Sequence, residues 1–266
     1  MAKSNPYLNN QLLLDQIHKS KISYCSYLDP TYTRCDLIVE SLDEVTDELL
    51  DEAIAKRRAK EQRQLRSEYT ERTGKRTGKE FNAIRAPEYQ REDMVVRVIT
   101  FEHIPLLPEP RNVQCKRPEA KLRVRINFTP FKHYVMIDGQ YVEVLRSHWI
   151  GGFDNGHFSQ THGKTTDKLG RAYLLLASRY SGKSNFRGYT YREEMVGHAI
   201  MKLAEHGLQF DEDTTNNPFA YLTRVTHNSF LHILNSEKKE QDRRDSMREK
   251  AGLQPSTARQ LKNEGW

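Results

Sequence analysis

The spacing of apolar residues changes twice along the chain, and each change indicates a new type of structure. Apolar positions follow helical spacing in the first third, alternate in the middle and return to helical spacing in the last third. The first stretch predicts a long, mostly solvated helix over Ser41–Tyr69, with acids at its start and bases at its end, as the helix dipole favours. Thr70–Lys79, which contains two glycines, is predicted to be its flexible end.

The middle of the chain predicts a small antiparallel β unit over residues 94–146. Alternating apolar residues indicate a mostly buried strand at Met94–Thr100 and a half-buried strand at Leu122–Phe128, with a proline-rich loop, Ile104–Pro118, between them. Asp138-Gly139 then separates two apolar runs. This is the pattern of a hairpin with a two-residue type I′ turn.

Three amphipathic helices joined by short links are predicted after residue 164. The first has an apolar stripe over Leu169–Tyr180 and ends at Gly182. The second stops at Gly207, followed by Leu208, which matches a C′ glycine with its apolar C″ contact. The third begins with Asn217 as N-cap and Pro218 in the first turn. Together these segments predict a mainly α fold: a helical bundle with a small antiparallel β insert and a long charged helix.

Composition limits the class of protein. The chain has 266 residues, of which 36% are apolar, enough for one or two modest cores. Its longest apolar run, Ala172–Ala177, is far shorter than the ~20 residues of a membrane-spanning helix, and no signal segment opens the chain. Cys25, Cys35 and Cys115 form no CxxC pair, which argues against a disulfide scaffold or a multi-cysteine zinc module. We therefore expect a cytoplasmic protein with no membrane partner.

Charge is unevenly distributed. The net charge is +6 and the isoelectric point is about 9.1, values that suit a polyanionic partner, most often nucleic acid. Asp36–Glu52 carries eight acids and no base, whereas Lys56–Lys79 carries ten bases and three acids. Such a basic run is ordinarily a solvated face or a linker, and the alternative is a phosphate-binding arm.

Three segments carry weak signals of an enzyme or a metal site. Ala177–Ser184 matches a relaxed phosphate-loop pattern, but its first glycine is replaced and the preceding run has helical spacing. Ser147–Lys164 contains histidines and an asparagine that could belong to a His–Asn–His nuclease, yet the outer histidines are too close for the usual unit. Cys25, Cys35 and His18 could join a zinc site. We predict no catalytic residue, no metal and no cofactor.

The third predicted helix has a polar face opposite its apolar stripe. Arginine and lysine there could neutralise phosphates, asparagine could pair with a base edge, and tyrosine could stack on an unpaired base. The face comprises Tyr221, Arg224, Asn228, His232, Asn235 and Lys239.

Several runs of sequence carry a family resemblance. They are LGRAYLLLASRY, the run YTYREEMVGHAIMKLAEHGLQFDEDTTNNPFAYLTRVTHNSFLHILNSEKK, and NPYLNNQLLLDQI near the N-terminus. These runs resemble conserved region 2 of bacterial sigma factors, in particular the late-transcription sigma factors of T-even-type phages and their cyanophage relatives. The resemblance covers about residues 7–22 and 165–245 and includes the family's Phe-Asp at Phe210-Asp211.

The resemblance implies a phage sigma factor that directs the core RNA polymerase of the bacterial host to AT-rich −10-like late promoters and helps to melt them. The helix Arg192–His206 would bind the β′ clamp helices of polymerase, and the helix Pro218–Lys239 would hold the non-template strand of the −10 element. The implied polymerase-binding residues are Glu194, His198, Met201 and Glu205. The implied DNA-binding residues are Phe219, Tyr221, Arg224, Asn228, His232, Asn235, Lys238 and Lys239.

The chain also departs from the family. The tryptophan pair of primary sigma factors falls on Arg224 and Val225, and no region 4 follows to read a −35 element. Family members end in an apolar-acidic tail that engages the sliding clamp, whereas ARQLKNEGW is mainly polar, with Leu261 and Trp266 as its apolar anchors. A sliding clamp or coactivator therefore stays an open partner. A polymerase adaptor that does not read promoter DNA is the alternative function.

The predicted domain organisation follows from these patterns. In chain order it comprises an N-terminal helical segment that packs with the sigma core (1–40), a charged helix and linker (41–93), a β-rich insert (94–163), a sigma region 2-like helical domain (164–245) and a polar C-terminal tail (246–266).

Overall fold

The computed structural model describes residues 8–112, 114 and 117–263. It divides into two compact units. A sheet unit comprises His18–Thr165 and Asp211–Thr215, and a helical unit lies within Met1–Ile17, Thr166–Phe210 and Asn216–Trp266. The segment between the last two long helices thus belongs to the sheet unit. Tyr7, Cys115 and Trp266, on which some of the sequence predictions fall, lie outside the described residues.

The regular elements are named here in chain order. The helices are α1 (Asn10–Ile22), α2 (Asp47–Thr73), α3 (Lys79–Ala83), α4 (Asp167–Ser181), α5 (Ser184–Arg187), α6 (Arg192–His206), α7 (Pro218–Lys250) and α8 (Thr257–Asn263). The strands are β1 (Cys25–Tyr27), β2 (Leu37–Val39), β3 (Val96–Ile99), β4 (Phe131–Ile137), β5 (Gln140–Ser147), β6 (Trp149–Ile150) and β7 (His157–Phe158).

The sheet unit is built on a five-stranded sheet in the order β1-β5-β4-β3-β2. Its pairs are antiparallel except β2 and β3, which run parallel, with Leu37 opposite Val96. The first turns of α2 cover one face, where Leu50 and Ala53 pack among Val96 and Val98 of β3. Strands β6 and β7 form a separate small hairpin.

The prediction of a mainly α bundle with a small antiparallel insert was wrong. Helices contain 54% of the residues and strands contain 12%. The fold is mixed α/β, and its central element is the five-stranded sheet. Two of the strands, β1 and β2, come from the first 40 residues, which were predicted to be helical. They are only three residues long, too short to show an alternating pattern, and pairing with β5 and β3 rather than local propensity gives them their conformation.

The strand predicted at Leu122–Phe128 was also wrong. Its first residue ends a short 3₁₀ helix, Pro118–Leu122, and its one ladder contact is an isolated bridge between Arg123 and Leu106. An alternating pattern favours a strand, but a strand also needs a neighbour, and among the described residues this segment has only the one bridge. By contrast, the hairpin was confirmed, because Asp138 and Gly139 both have positive φ, at 50° and 78°, as a type I′ turn requires.

The predicted charged helix begins later and ends later than the sequence indicated. Ser41 caps a short 3₁₀ helix, Leu42–Glu44, and Thr46 then caps α2 by accepting a hydrogen bond from the Leu49 amide. The helix continues to Thr73, and Gly74 ends it in the left-handed conformation. Two side chains of α2, Leu50 and Ala53, are fully buried, so most of the helix is solvated as predicted.

In the helical unit, α6 packs against both α4 and α7. Their shared core is lined by buried apolar residues from all three helices and α5: Ala177, Tyr180, Phe186, Met195, Ala199, Phe230 and Ile233. Among the residues that the structure describes, no helix is both long and apolar enough to cross a membrane.

Two helix ends in this unit test the predicted capping. Asn217 is the N-cap of α7, accepting a hydrogen bond from the Ala220 amide at 3.1 Å, as predicted. Helix α6 stops at Gly207 as predicted, but Gly207 is its C-cap rather than a C′ residue, with φ at −61°, and the chain continues into a 3₁₀ turn. A side chain at Gly207 would overlap the hydroxyl of Tyr173, so close helix packing is what requires glycine here.

Candidate nucleic-acid interface

A row of exposed polar side chains follows the solvent side of α7. Leu222 and Phe230 anchor the opposite side of the helix and are almost fully buried. The row occupies positions three or four apart, which places its members on one face of the helix. Its exposed members are Arg224, Asn228, His232, Asn235 and Lys239.

The row has the length and chemistry to follow a single nucleic-acid strand. From Arg224 to Lys239 it extends for about 22 Å at 1.5 Å per residue, the length of roughly six nucleotides. Lys238 adds an exposed cation beside the row. Within the described part of the chain, Arg224, Lys238 and Lys239 form no ion pair, so their charges are free to meet phosphates.

The two aromatic residues predicted to contact DNA have different surroundings. Phe219, in the first turn of α7, is 38% exposed, and its amide donates a hydrogen bond to Asn10 Oδ1 at 3.0 Å. Tyr221 is half-buried, and its hydroxyl donates to the His206 carbonyl at 2.8 Å while its ring contacts Phe210. Burial raises the pKa of Tyr221 to about 12. The free aromatic face is therefore that of Phe219.

The predicted polymerase-binding residues lie on the polar side of α6, opposite the buried Met195 and Leu203. Glu194 and Glu205 are exposed, and Met201 is 47% exposed between them. Lys202 pairs with Glu205 at 2.7 Å. This face is acidic with one apolar side chain, unlike the basic row on α7, so it suits a protein partner better than DNA.

His198 connects the two predicted faces. Its Nδ1 shares a hydrogen bond of 2.6 Å with Ser229 Oγ, and its ring stacks on His232 with centroids 5.2 Å apart. Burial, followed by the nearby His232, lowers the pKa of His198. The structure thus brings a residue assigned to polymerase binding against one assigned to DNA binding, and His198 cannot be altered without affecting both faces.

The sheet unit contains a buried charged cluster that the sequence analysis missed. Arg97, only 3% exposed on β3, donates to Glu212 Oε2 at 2.9 Å and to His133 Nε2 at 3.0 Å. Lys21 donates to the other oxygen of Glu212 at 3.0 Å. A third contact, of 3.1 Å, joins Arg97 to His18 Nδ1. An arginine between two valines of a buried strand signals such a partner, because an unpaired buried charge is very costly.

The ionisation of this cluster follows from its geometry. Burial alone would raise the pKa of Glu212, but the positive charges of Lys21 and Arg97 outweigh it and lower that pKa to about 2. Burial and then the charge of Arg97 lower the pKa of His18 to about 4. Burial and the charge of Arg97 also lower the pKa of His133, so both rings are held neutral although each contacts a backbone carbonyl, Thr33 for His18 and Tyr32 for His133, both at 2.8 Å.

The possible zinc ligands Cys25, Cys35 and His18 lie around this cluster, where Arg97 interacts with all three. Burial raises the pKa of both thiols, that of Cys35 to about 11, whereas a zinc ligand must be a thiolate. No group of three histidine, cysteine or acidic side chains within the described ranges could hold a metal ion.

In each of the two segments with weak enzyme signals, Ala177–Ser184 and Ser147–Lys164, one side chain contacts an aromatic ring. In the phosphate-loop match, the residues before Gly182 form α4 rather than a strand, and Lys183 Nζ lies over the Tyr180 ring at 3.9 Å. In the histidine-rich segment, His148 is fully buried against the Phe128 ring at 4.2 Å, whereas His157 is exposed on β7. Lys183 and His148 are thus each engaged by an aromatic ring.

Comparison with protein-family models and with curated proteins found no match to this chain. Functional inference therefore rests on the side chains described above and on the sequence resemblance.

Proposed function

We propose that this chain is a promoter-specificity factor of the phage late sigma type, which binds the core RNA polymerase of a bacterial host and holds one strand of an AT-rich −10-like element. The observation that carries this proposal is the basic row of α7 beside the acidic face of α6. One helix offers phosphate and base contacts along about six nucleotides, and its neighbour offers a surface of different charge for a protein.

The proposed activity is binding alone. Opening a promoter requires bases to unstack, at a cost of a few kcal/mol for each flipped base. Stacking on the exposed ring of Phe219 would return roughly 1–3 kcal/mol per base. Arg224, Lys238 and Lys239 would add phosphate contacts, and Asn228 and Asn235 could pair with base edges. Since the hydroxyl of Tyr221 is already bonded to His206, its role is to position the start of α7.

Run-off transcription tests this proposal. The full chain is added to host core polymerase on a template with an AT-rich −10-like element, and a matched template replaces that element with a G·C-rich sequence. We expect a defined transcript from the first template only, because melting and single-strand capture both depend on the element. Failure to start transcription on a panel of AT-rich templates would remove the sigma proposal.

A crosslinking experiment separates this proposal from a polymerase adaptor that does not read DNA. A photoreactive group at position 224 would lie within the exposed row. In the assembled complex we expect it to crosslink to the non-template strand of the element. Crosslinks to polymerase alone would favour the adaptor.

A further inference from the structure

The second half of α2 extends beyond the hydrophobic contacts that fix its first half. Its last fully buried side chain is Ala53, although the helix continues to Thr73. Beyond that point α2 contacts the segment 79–89. The Tyr69 and Phe81 rings lie 6.1 Å apart, and Gln62 Oε1 accepts from the Ala86 amide at 2.7 Å. We call residues 56–85 the basic arm.

Most positive charges of the basic arm have no acidic partner. The first three cations of the arm are paired: Lys56 with Glu52, Arg57 with Asp36 and Arg58 with Glu88. Farther along, the cations are exposed, and within the described residues no carboxylate forms an ion pair with them. They are Lys60, Arg63, Arg72, Lys75, Arg76, Lys79 and Arg85.

The shape of the basic arm allows the backbone of another molecule to approach its cations closely. Lys60 and Arg63 are three apart and share one face of α2, where Lys56, which pairs with Glu52 at 2.8 Å, precedes them by one turn. The turn after α2 is bounded by Gly74 and Gly78, whose φ values of 70° and 125° favour glycine, and no other group lies within 4 Å of where their side chains would be. The cations of the helix and the turn are therefore unobstructed.

We propose that the basic arm binds the phosphate backbone of duplex DNA without reading its sequence. The face of α2 that carries Lys60 and Arg63 offers a series of unpaired cations, which is what a polyanion requires, whereas the exposed apolar side chain of Leu65 lies on the opposite side of the helix. The choice of DNA over another polyanion rests on the proposed function, in which the α7 row holds a single strand. The arm would hold duplex DNA by counterion release.

The test compares two variants in which the same number of charges is removed. The arm variant is Lys60→Gln, Arg63→Gln, Lys75→Gln and Arg76→Gln. The control variant is Lys168→Gln, Arg171→Gln, Arg179→Gln and Arg187→Gln, four exposed cations of α4 and α5. Binding of the free full-length chain to a labelled random-sequence duplex is followed by fluorescence anisotropy from 50 to 200 mM salt. Circular dichroism establishes that both variants are folded.

For the wild type we expect weak binding that falls steeply with salt. In the arm variant, affinity should fall at least about tenfold at 0.1 M salt. The magnitude of the slope of log K against log salt should fall by about two to four, near 0.9 for each phosphate that the arm no longer neutralises. The control should retain most of the affinity and the slope. Equal reductions in both variants would overturn the proposal, because net charge alone would then explain binding.

Two further outcomes decide the nature of the partner. If polyglutamate of equal charge displaces the wild-type chain as well as unlabelled duplex does, the arm is a surface for acidic proteins and the DNA proposal fails. Because the assay uses random duplex and no polymerase, a negative result would contradict duplex binding by the arm but not the proposed function. Conversely, duplex binding by the arm can still be measured if the run-off experiment gives no transcript.

Discussion

At the scale of single residues, Arg97 shows both what a sequence can predict and where prediction stops. Its position between Val96 and Val98 correctly placed it on a mostly buried strand. Its partner Glu212 lies 115 positions away in a link between helices, and no local pattern connects the two. Cys25 and His18 were considered as metal ligands because spacing alone cannot show that a buried arginine occupies the space among them.

The buried histidines of this cluster predict acid sensitivity of the sheet unit. His18 has a pKa of about 4 in the folded chain and an ordinary value near 6.5 when unfolded. Below pH 6.5 the unfolded state therefore binds a proton that the folded state does not, so stability falls as the pH decreases from 6.5 through 4. At pH 4.5 His18 alone should cost roughly 2–3 kcal/mol.

His18→Gln should make this acid limb shallower, because glutamine can donate to Thr33 and accept from Arg97 but does not titrate. The measurement is urea unfolding at pH 7 and pH 4.5. A Trp266→Phe background leaves Trp149, in the sheet unit, as the one fluorescent indole. Equal loss of stability in the presence and absence of His18 would show that this ring titrates normally in the folded chain.

At the scale of elements, periodicity predicted helices and the hairpin well and predicted isolated strands poorly. Helix α4 and the turn at Asp138-Gly139 depend on residues close in sequence, so their signals are local. Strand β2 instead depends on its parallel partner β3, nearly 60 residues later. Gly207 was recognised as a helix end, but its reason for being glycine lies in Tyr173 of another helix.

Two glycines of the α6 segment should therefore respond in opposite ways to alanine. Gly197 lies within α6 with no other group near its missing side chain, so Gly197→Ala should stabilise the helical unit by roughly 0.5–1 kcal/mol. Gly207→Ala should destabilise it by about 1–3 kcal/mol, since the new methyl group would overlap Tyr173.

Thermal and urea unfolding followed by circular dichroism would measure both effects. Tyr173→Phe should partly rescue Gly207→Ala, because the tyrosine hydroxyl is buried without a hydrogen-bond partner among the described residues, so its removal costs little. If Gly207→Ala is instead neutral, the packing of α4 against this turn is looser than the structure indicates.

At the scale of the whole molecule, the fold class was the least predictable property. The helical pattern after residue 164 was strong enough to suggest that the rest of the chain served a bundle. Short strands contributed by residues 25–39 instead complete a sheet with its own core. The predicted faces on α6 and α7 were easier to locate, because the sequence alone determines which side of an amphipathic helix is polar.

If the proposed function is right, the two faces should fail in different ways. Glu194→Lys reverses a charge on the exposed side of α6 and should weaken core-polymerase binding without unfolding the helical unit, whose core is formed by Met195, Ala199 and their neighbours. Replacing Arg224 and Asn228 with alanine should spare polymerase binding and reduce promoter opening. Removal of a base contact worth ~1–3 kcal/mol implies roughly a 5- to 150-fold effect.

Native-gel binding to core polymerase beside permanganate footprinting of the −10 bubble measures both properties. Ser236→Ala, at an exposed position of α7 that is not part of the row, is a control that should leave both unchanged. His198 is unsuitable for this comparison because it contacts both Ser229 and His232. If the α7 variant loses polymerase binding while Glu194→Lys retains it, the roles of the two helices are reversed. Normal promoter opening by both variants would instead place promoter recognition outside these helices, because neither exposed face would then contribute to it.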